Sequence, residues 1–532
     1  MIRWEEWGEA AFARAKSENR PILLVIGATW CHWCHVMDDT TWSHPRVAEL
    51  VNERFVPIRI DTDLRPEVND RYNQGGWPSV AVLDASGEVL VGRTYVPAQE
   101  LLYLLMSVSE PGHRWSIAPS EPEAVPTEVP SFDALDAKVR KAYDRYHGGF
   151  GDFQKFPHVG VLEWLLDRRL RGGDTAMLDK TLAAMADGGL WDKERGGFFR
   201  YATADDWSEP HYEKLLEDNA RLLHLYLRVA EVERRFRGTA EGLVRWAVGT
   251  LWQDAAGAFG ASQDADGRWY TAPPSERGEP PAVDPTIVSG WNGLMLAALV
   301  RAAAAWDRPG LLGLARMAGE HLLERSHEGR ISRVAGGVSG LLSDQAETAL
   351  GWLLLWQRTG ESRWRDAAGA ALAWARDHLA ADGGGYWDAV PDGPGLLRIG
   401  RRAMPANTAF AEAAWRYGAL IGDASWLDVA RSAANAALAE GEPWGFAAAN
   451  AASIAERLTR PAVVVKCWQA PALRDATLAD AHLEVLALEL DATAAEKAGV
   501  APGTAMACTA RACARPSRDL EALRRAIRDL QG

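Results

Sequence analysis

The sequence predicts a multidomain chain: an α/β domain first, an all-α domain second and a small α/β appendage last. Three observations carry this. Two cysteines three positions apart, Cys31 and Cys34, follow the apolar run Pro21-Ile22-Leu23-Leu24-Val25-Ile26-Gly27. From Phe132 to Leu458, Ala-, Leu- and Trp-rich helical stretches are broken by glycine-aromatic loops roughly 60 residues apart, the period of an array of helical pairs. Beyond them, the β-branched run Ala462-Val463-Val464-Val465-Lys466-Cys467 precedes an amphipathic stretch from Ser517 to Leu530. The expected boundaries are 1–110, a linker over 111–131, 132–458 and 459–532.

Along the first domain, Trp4, Trp7, Ala11 and Ala15 fall at helical spacing, and Arg20-Pro21 stops that helix before the first strand. A helix carrying Val36, Met37 and Trp42 follows the cysteines, a second opens at Ser43-His44-Pro45, and Phe55 to Asp61 reads as a second strand. This order suits a thioredoxin-like domain. Gly75-Gly76-Trp77-Pro78-Ser79 precedes a third strand at Val80 to Leu83. In such folds a cis-proline at this place faces the dithiol and holds substrate backbone, which makes Trp77-Pro78 the candidate cis bond. A plain Gly-Gly loop is the alternative.

Cys31 is then placed at a helix N-terminus, where free N–H groups and the positive end of the dipole favour a thiolate. Cys34, one turn on, is placed to attack a mixed disulfide formed at Cys31. His32 beside the nucleophile and His35 at i+4 complete the candidate redox site. Two rival readings of Cys31-His32-Trp33-Cys34-His35 stand beside it: attachment of c-type haem, which needs an exported chain, and a zinc site built from the same thiols and imidazoles. The redox reading expects no metal and no cofactor. The bland alternative is a degenerate domain whose dithiol does little.

Composition narrows the partners. The chain has 532 residues, 48% of them apolar, and a net charge of -14 with no basic block, which argues against nucleic acid or an anionic membrane surface. No apolar run reaches membrane-spanning length, and Met1-Ile2-Arg3-Trp4-Glu5-Glu6 opens no signal peptide. Five cysteines are too few for a disulfide scaffold, so a cytoplasmic, reducing location is expected, with protein thiols or disulfides as partners of the dithiol. Pro111, Pro119, Pro122, Pro126 and Pro130 mark a semi-extended linker.

The second domain repeats its loops at Gly148-Gly149-Phe150, Gly196-Gly197-Phe198, Gly257-Ala258-Phe259, Gly329-Arg330-Ile331, Gly384-Gly385-Tyr386 and Trp444-Gly445-Phe446. Six helical hairpins closing on themselves make an (α/α)6 toroid, with an open solenoid as the alternative. Polar clusters fall at the loop-to-helix joints: Lys155-Phe156-Pro157-His158, then His211-Tyr212-Glu213-Lys214 with Asp218-Asn219. Gln263-Asp264-Ala265-Asp266, Trp291-Asn292, Asp344 and Asn407 follow. If the hairpins close, His211 is the candidate base, Glu213, Asp264 or Asp266 the acid, and Trp291 a stacking platform for a sugar-like ligand. Lys155, Lys214, Asp218, Asn219, Gln263, Asn292, Asp344 and Asn407 are candidate substrate contacts. An ordinary i,i+4 ion pair between Lys214 and Asp218 is the bland alternative. In the appendage, Cys508 and Cys513 read as packed thiols, with a second dithiol as the minority view.

These motifs, together with Cys513-Ala514-Arg515-Pro516, resemble in one order the spermatogenesis-associated thioredoxin-like proteins, which join a thioredoxin-like domain to a toroid similar to N-acylglucosamine 2-epimerase. The resemblance covers nearly the whole chain and implies its fold. It leaves the reaction open between a thiol–disulfide oxidoreductase or redox sensor, a carbohydrate isomerase, epimerase or glycoside hydrolase, and a sugar-binding or chaperone-like module. Four departures mark the chain: a shorter segment before Gly75, Asp38 where Glu is common, Gln345 where Tyr is common, and Ala406 for a frequent Ser. They point to an altered toroid mouth beside an intact dithiol turn.

Overall fold

Ile22–Gly27 carries no polar side chain, and it forms β1, buried on both faces. The computed structural model describes residues 1–109 and 131–531; the linker expected over 111–131 lies, but for Ser131, outside the described residues. The chain divides into two compact units, Met1–Ala124 with Asp264–Asp284 and Ala389–Arg401, and Val125–Gln263 with Pro285–Asp388 and Arg402–Gly532.

The first unit runs α1 (Glu9–Glu18), β1, α2 (His32–Met37), α3 (Pro45–Arg54), β2 (Val56–Asp61), α4 (Pro66–Tyr72), β3 (Ser79–Leu83), β4 (Val89–Arg93) and α5 (Ala98–Val108). The sheet order is β2-β1-β3-β4, with β1 parallel to β2 and antiparallel to β3. Successive side chains of a strand point to opposite faces. Accordingly Leu23 and Val25 join a core with Met37, Trp42 and Phe55, while Ile22, Leu24 and Ile26 join a second core with Trp7, Phe12 and Tyr72. That second core also takes in Leu397, and the Tyr72 hydroxyl accepts the N–H of Leu396 at 2.7 Å. The Trp77-Pro78 peptide is cis.

In the second unit outer and inner helices alternate. They are α6 (Phe132–Ala142), α7 (Val159–Leu170), α8 (Ala176–Asp187), α9 (Leu216–Val232) and α10 (Arg237–Trp246). Next come the short α11 (Gly267–Thr271), which falls in the first unit, and α12 (Ser289–Trp306), α13 (Pro309–Glu324), α14 (Leu342–Thr359), α15 (Ser362–His378), α16 (Met404–Ile421), α17 (Ser425–Ala439) and α18 (Ala449–Arg457). Helices α7, α9, α12, α14, α16 and α18 each pack on the next, and α18 packs back on α7. The ring closes, and the solenoid alternative falls. Where α12 and α14 cross, a Cβ on Gly293 would stand 2.4 Å from the Glu347 carbonyl oxygen, so only glycine admits so close an approach.

The appendage adds β5 (Val463–Trp468), α19 (Pro471–Ala479), β6 (Val485–Glu489), α20 (Ala492–Ala498), β7 (Thr504–Cys508) and α21 (Leu520–Gln531). Strand β5 lies between β6, parallel, and β7, antiparallel. Helix α19 packs on α9 and α12, and β6 packs on α14. Cys508 and Cys513 form a disulfide, which corrects the reading as packed thiols. The bridge that sets them opposite each other has no periodic signal in sequence.

Candidate functional site

The dithiol lies where the helix-start argument places it. Cys31 is the N-cap of α2, and its Sγ accepts the N–H of Cys34 at 3.3 Å. The two cysteines are not joined in a disulfide, and both are buried. The hydrogen bond with Cys31, and then burial, push the Cys34 thiol far above its ordinary value, so Cys34 holds its proton behind Cys31. Asp38, one of the departures, takes the Arg59 guanidinium in two hydrogen bonds of 2.7 Å. His32 and His35 are both exposed, as is Trp33 at 47%, and Trp30 and Trp77 meet edge to face at 5.8 Å. Among the described residues no group of His, Cys, Asp and Glu is placed to hold a metal ion.

Most toroid residues singled out by sequence hold the loops. Asn219, Asn292, Gln345 and Asn407 are each the fourth residue of an inner helix. The Asn219 amide accepts the N–H of Phe198 and donates to the carbonyls of Phe198 and Leu215. Asn292 does the same with Phe259 and Val288, and Asn407 with Tyr386 and Ala403. Gln345 accepts from Ile331 and donates to Gly329 and Ala371, so the replacement of tyrosine here supplies a fourth pin.

The lysines act alike. Lys155 donates to Asp144 at 2.8 Å and to the Gly151 carbonyl, and Lys214 to Asp192 at 2.6 Å and to the Gly196 carbonyl. The partner of Lys214 is therefore a buried aspartate in its own loop, which displaces the Lys214–Asp218 surface pair. Burial, opposed by Asp192, brings the Lys214 ammonium down to about 8. Trp246 donates to the Gln263 side chain at 3.3 Å, and Asp344 accepts from Gly290 and Arg333.

His211 and Glu213 come together, Nδ1 to Oε2 at 3.7 Å, with the imidazole stacked on Tyr201. Trp291 is buried under the Arg333 guanidinium. Asp264 and Asp266 fall in the first unit, where Asp264 accepts the Ala265 N–H and Asp266 caps α11.

Inside the ring of inner helices lies a cavity of about 490 Å³. Of the residues named from sequence as candidates, Asp218 lines it, and His211, Glu213 and Trp291 do not. Burial, with Glu217 adding to it, raises the Asp218 carboxyl to about 6. Two histidines line the wall. His158 sits in the left-handed backbone region at φ 44° just before α7, a conformation costing a non-glycine residue about 1 kcal/mol, and burial lowers its imidazole to about 4. His224 lies 3.3 Å from Glu163 through Nδ1. Burial and Arg301 outweigh Glu163 and lower His224 to about 4, while His224 and Arg228 overcome the burial of Glu163 and keep it ionised. The network therefore assigns a proton to Nδ1, donated to Glu163, and leaves Nε2 a free base. His224 and Glu163 gave no signal in sequence, since both sit mid-helix in amphipathic stretches that read as packing.

Residues 1–109 match the family described as Thioredox_DsbH, a protein of unknown function, DUF255. Spermatogenesis-associated protein 20 of Rattus norvegicus is 31% identical over 329 residues, 53% of this chain and 40% of that protein. The Homo sapiens protein of the same name is 30% identical over the same shares, so the chain spans less than half the length of these relatives. Among solved structures, a sugar epimerase from a ruminal bacterium aligns with a TM-score of 0.48 at 11% identity, covering 62% of this chain and 96% of that one. DsbH oxidoreductase aligns with a TM-score of 0.18 at 21% identity, covering 20% and 83%. The chain is a thioredoxin-like domain joined to an (α/α)6 toroid, similar in sequence over about half its length to spermatogenesis-associated protein 20.

Proposed function

We propose that the chain is a thiol–disulfide oxidoreductase whose dithiol domain is fused to a sugar-binding toroid. The observation that supports the redox half is the Cys31 sulfur at the start of α2, accepting the Cys34 N–H, with Cys34 held protonated behind it. The Cys31 thiolate attacks one sulfur of a partner disulfide and expels the other as a thiolate; Cys34 then attacks Cys31, loses its proton and releases the second partner thiol. The dithiol is oxidised by two electrons and the partner reduced by two. Oxidised glutathione tests this. The wild type is expected to end with a Cys31–Cys34 disulfide and two released thiols, and Cys34→Ser to stop at a mixed disulfide on Cys31. A Cys34→Ser protein that stays unmodified, or one modified at another cysteine, would remove the proposal.

A second reading, a carbohydrate isomerase or epimerase in the toroid, is favoured by the His224–Glu163 pair on the wall of a sugar-sized cavity. A neutral imidazole oriented by a carboxylate suits proton abstraction next to a carbonyl. Sugar bound without turnover would leave the binding module. No helix among the described residues is long and apolar enough to cross a membrane.

A further inference from the structure

Buried arginines gather at the toroid cavity. Arg301, Arg416 and Arg457 line it and Arg228 lies close to Arg301, each from a different inner helix and each at most 5% exposed. Three carboxylates face them. Asp167 pairs with Arg228 and, at 3.2 Å, with Arg457; Glu412 pairs with Arg457 and, at 2.7 Å, with Arg416; Glu163 stands 4.0 Å from Arg228. Burial would raise all three carboxyls, but the arginines around them, with His224 at Glu163, win and keep each below its ordinary value. His224 is neutral. Arg228, Arg416 and Arg457 are thus each paired with a carboxylate, and one guanidinium charge of the four is left without such a pair.

That charge sits on Arg301. It is 5% exposed, lines the cavity, and is in no ion pair with a carboxylate among the described residues, Asp480 and Glu231 attracting it only from farther off. Its one hydrogen bond within the protein runs from Nη1 to the Asp480 carbonyl at 2.7 Å, and its Nε has no protein partner. The carboxylate of Asp480 is taken by His482 at 2.9 Å. Arg416, which also lines the cavity, has a buried Nε without a partner as well. A buried guanidinium is stable where an anion completes it, and the flat fork matches a carboxylate or a phosphate.

We propose that the cavity takes an anionic sugar, one bearing a carboxylate or a phosphate, with the charged group seated on Arg301 and Arg416 and the polyol directed toward His224. This rests on the reading of the toroid as a sugar site. Calorimetric titration of the full chain with glucose, mannose, glucuronate, glucose 6-phosphate and inorganic phosphate tests it. The acidic sugars are expected to bind at least about tenfold more tightly than the neutral ones, with Arg301→Gln erasing the difference and Arg301→Lys keeping most of it. Neutral and acidic sugars bound equally, or a preference unchanged in Arg301→Gln, overturns the proposal and leaves the sugar site standing. No sugar of either kind bound overturns both. Should Arg301→Gln fail to fold, the wild-type comparison and Arg301→Lys still decide.

Discussion

At His224, burial and the nearby Arg301 and Arg228 oppose the pull of Glu163, and the imidazole stays neutral down to about 4. The unfolded chain takes up that proton near 6.5, so the His224 contribution to stability is lost as pH falls from about 6.5 toward 4. Asp218 works in the other sense: folded, it holds its proton up to about 6, so its contribution declines as pH rises through the interval from about 4 to 6. The two oppose each other in the intact protein, and variants separate them. In thermal melts His224→Gln is expected to gain on the wild type as pH moves from 7 to 5, and Asp218→Asn to gain as pH moves from 4 to 7. Parallel curves for either variant would show that its residue does not titrate as described. Cys31 and Cys34 were legible in sequence because a redox turn packs its chemistry into four consecutive positions. Glu163, His224, Arg301 and Arg416 were not, because they come from four different inner helices and meet only when the ring closes.

Four of the six inner helices carry a buried amide at their fourth residue, tied by three hydrogen bonds to the loop before the helix or its neighbour. Asn219→Ala, Asn292→Ala and Asn407→Ala are each expected to destabilise the toroid by roughly 3 kcal/mol, since each truncation strands buried N–H and C=O groups. Denaturant titration of the three, set beside Asn435→Ala at an exposed position of α17 as the small-effect reference, checks this. The joint residues were visible in sequence as a repeated polar cluster, but repetition cannot distinguish a pin from a ligand contact. An amide spent on main chain at joint after joint marks a scaffold, whereas the cavity residues differ from one hairpin to the next. The closed ring itself was legible from the period of the glycine-aromatic loops and their number. The appendage strands β6 and β7 were not, because short apolar runs such as Val485–Glu489 read equally as helix or strand.

At the scale of the whole chain, the first unit draws on segments far apart in sequence. Leu397 is 7% exposed in the core beside Trp7 and Phe12, and Arg398 donates to Glu88 at 2.6 Å. Cutting an engineered protease site at residue 120 is expected to leave both fragments eluting together under native conditions, because the C-terminal fragment carries Ala389–Arg401, which belongs to the first unit with Met1 onward. A folded N-terminal fragment eluting alone would contradict that packing. The same arrangement sets an order of events during synthesis. At ordinary translation rates the residues around Leu397 leave the ribosome roughly 15–60 s after residue 109, and until then Trp7, Phe12 and Tyr72 lack part of their cover. The nascent thioredoxin-like domain therefore spends that interval with an apolar patch open to chaperones, and its dithiol meets the cell before the domain that carries it is complete.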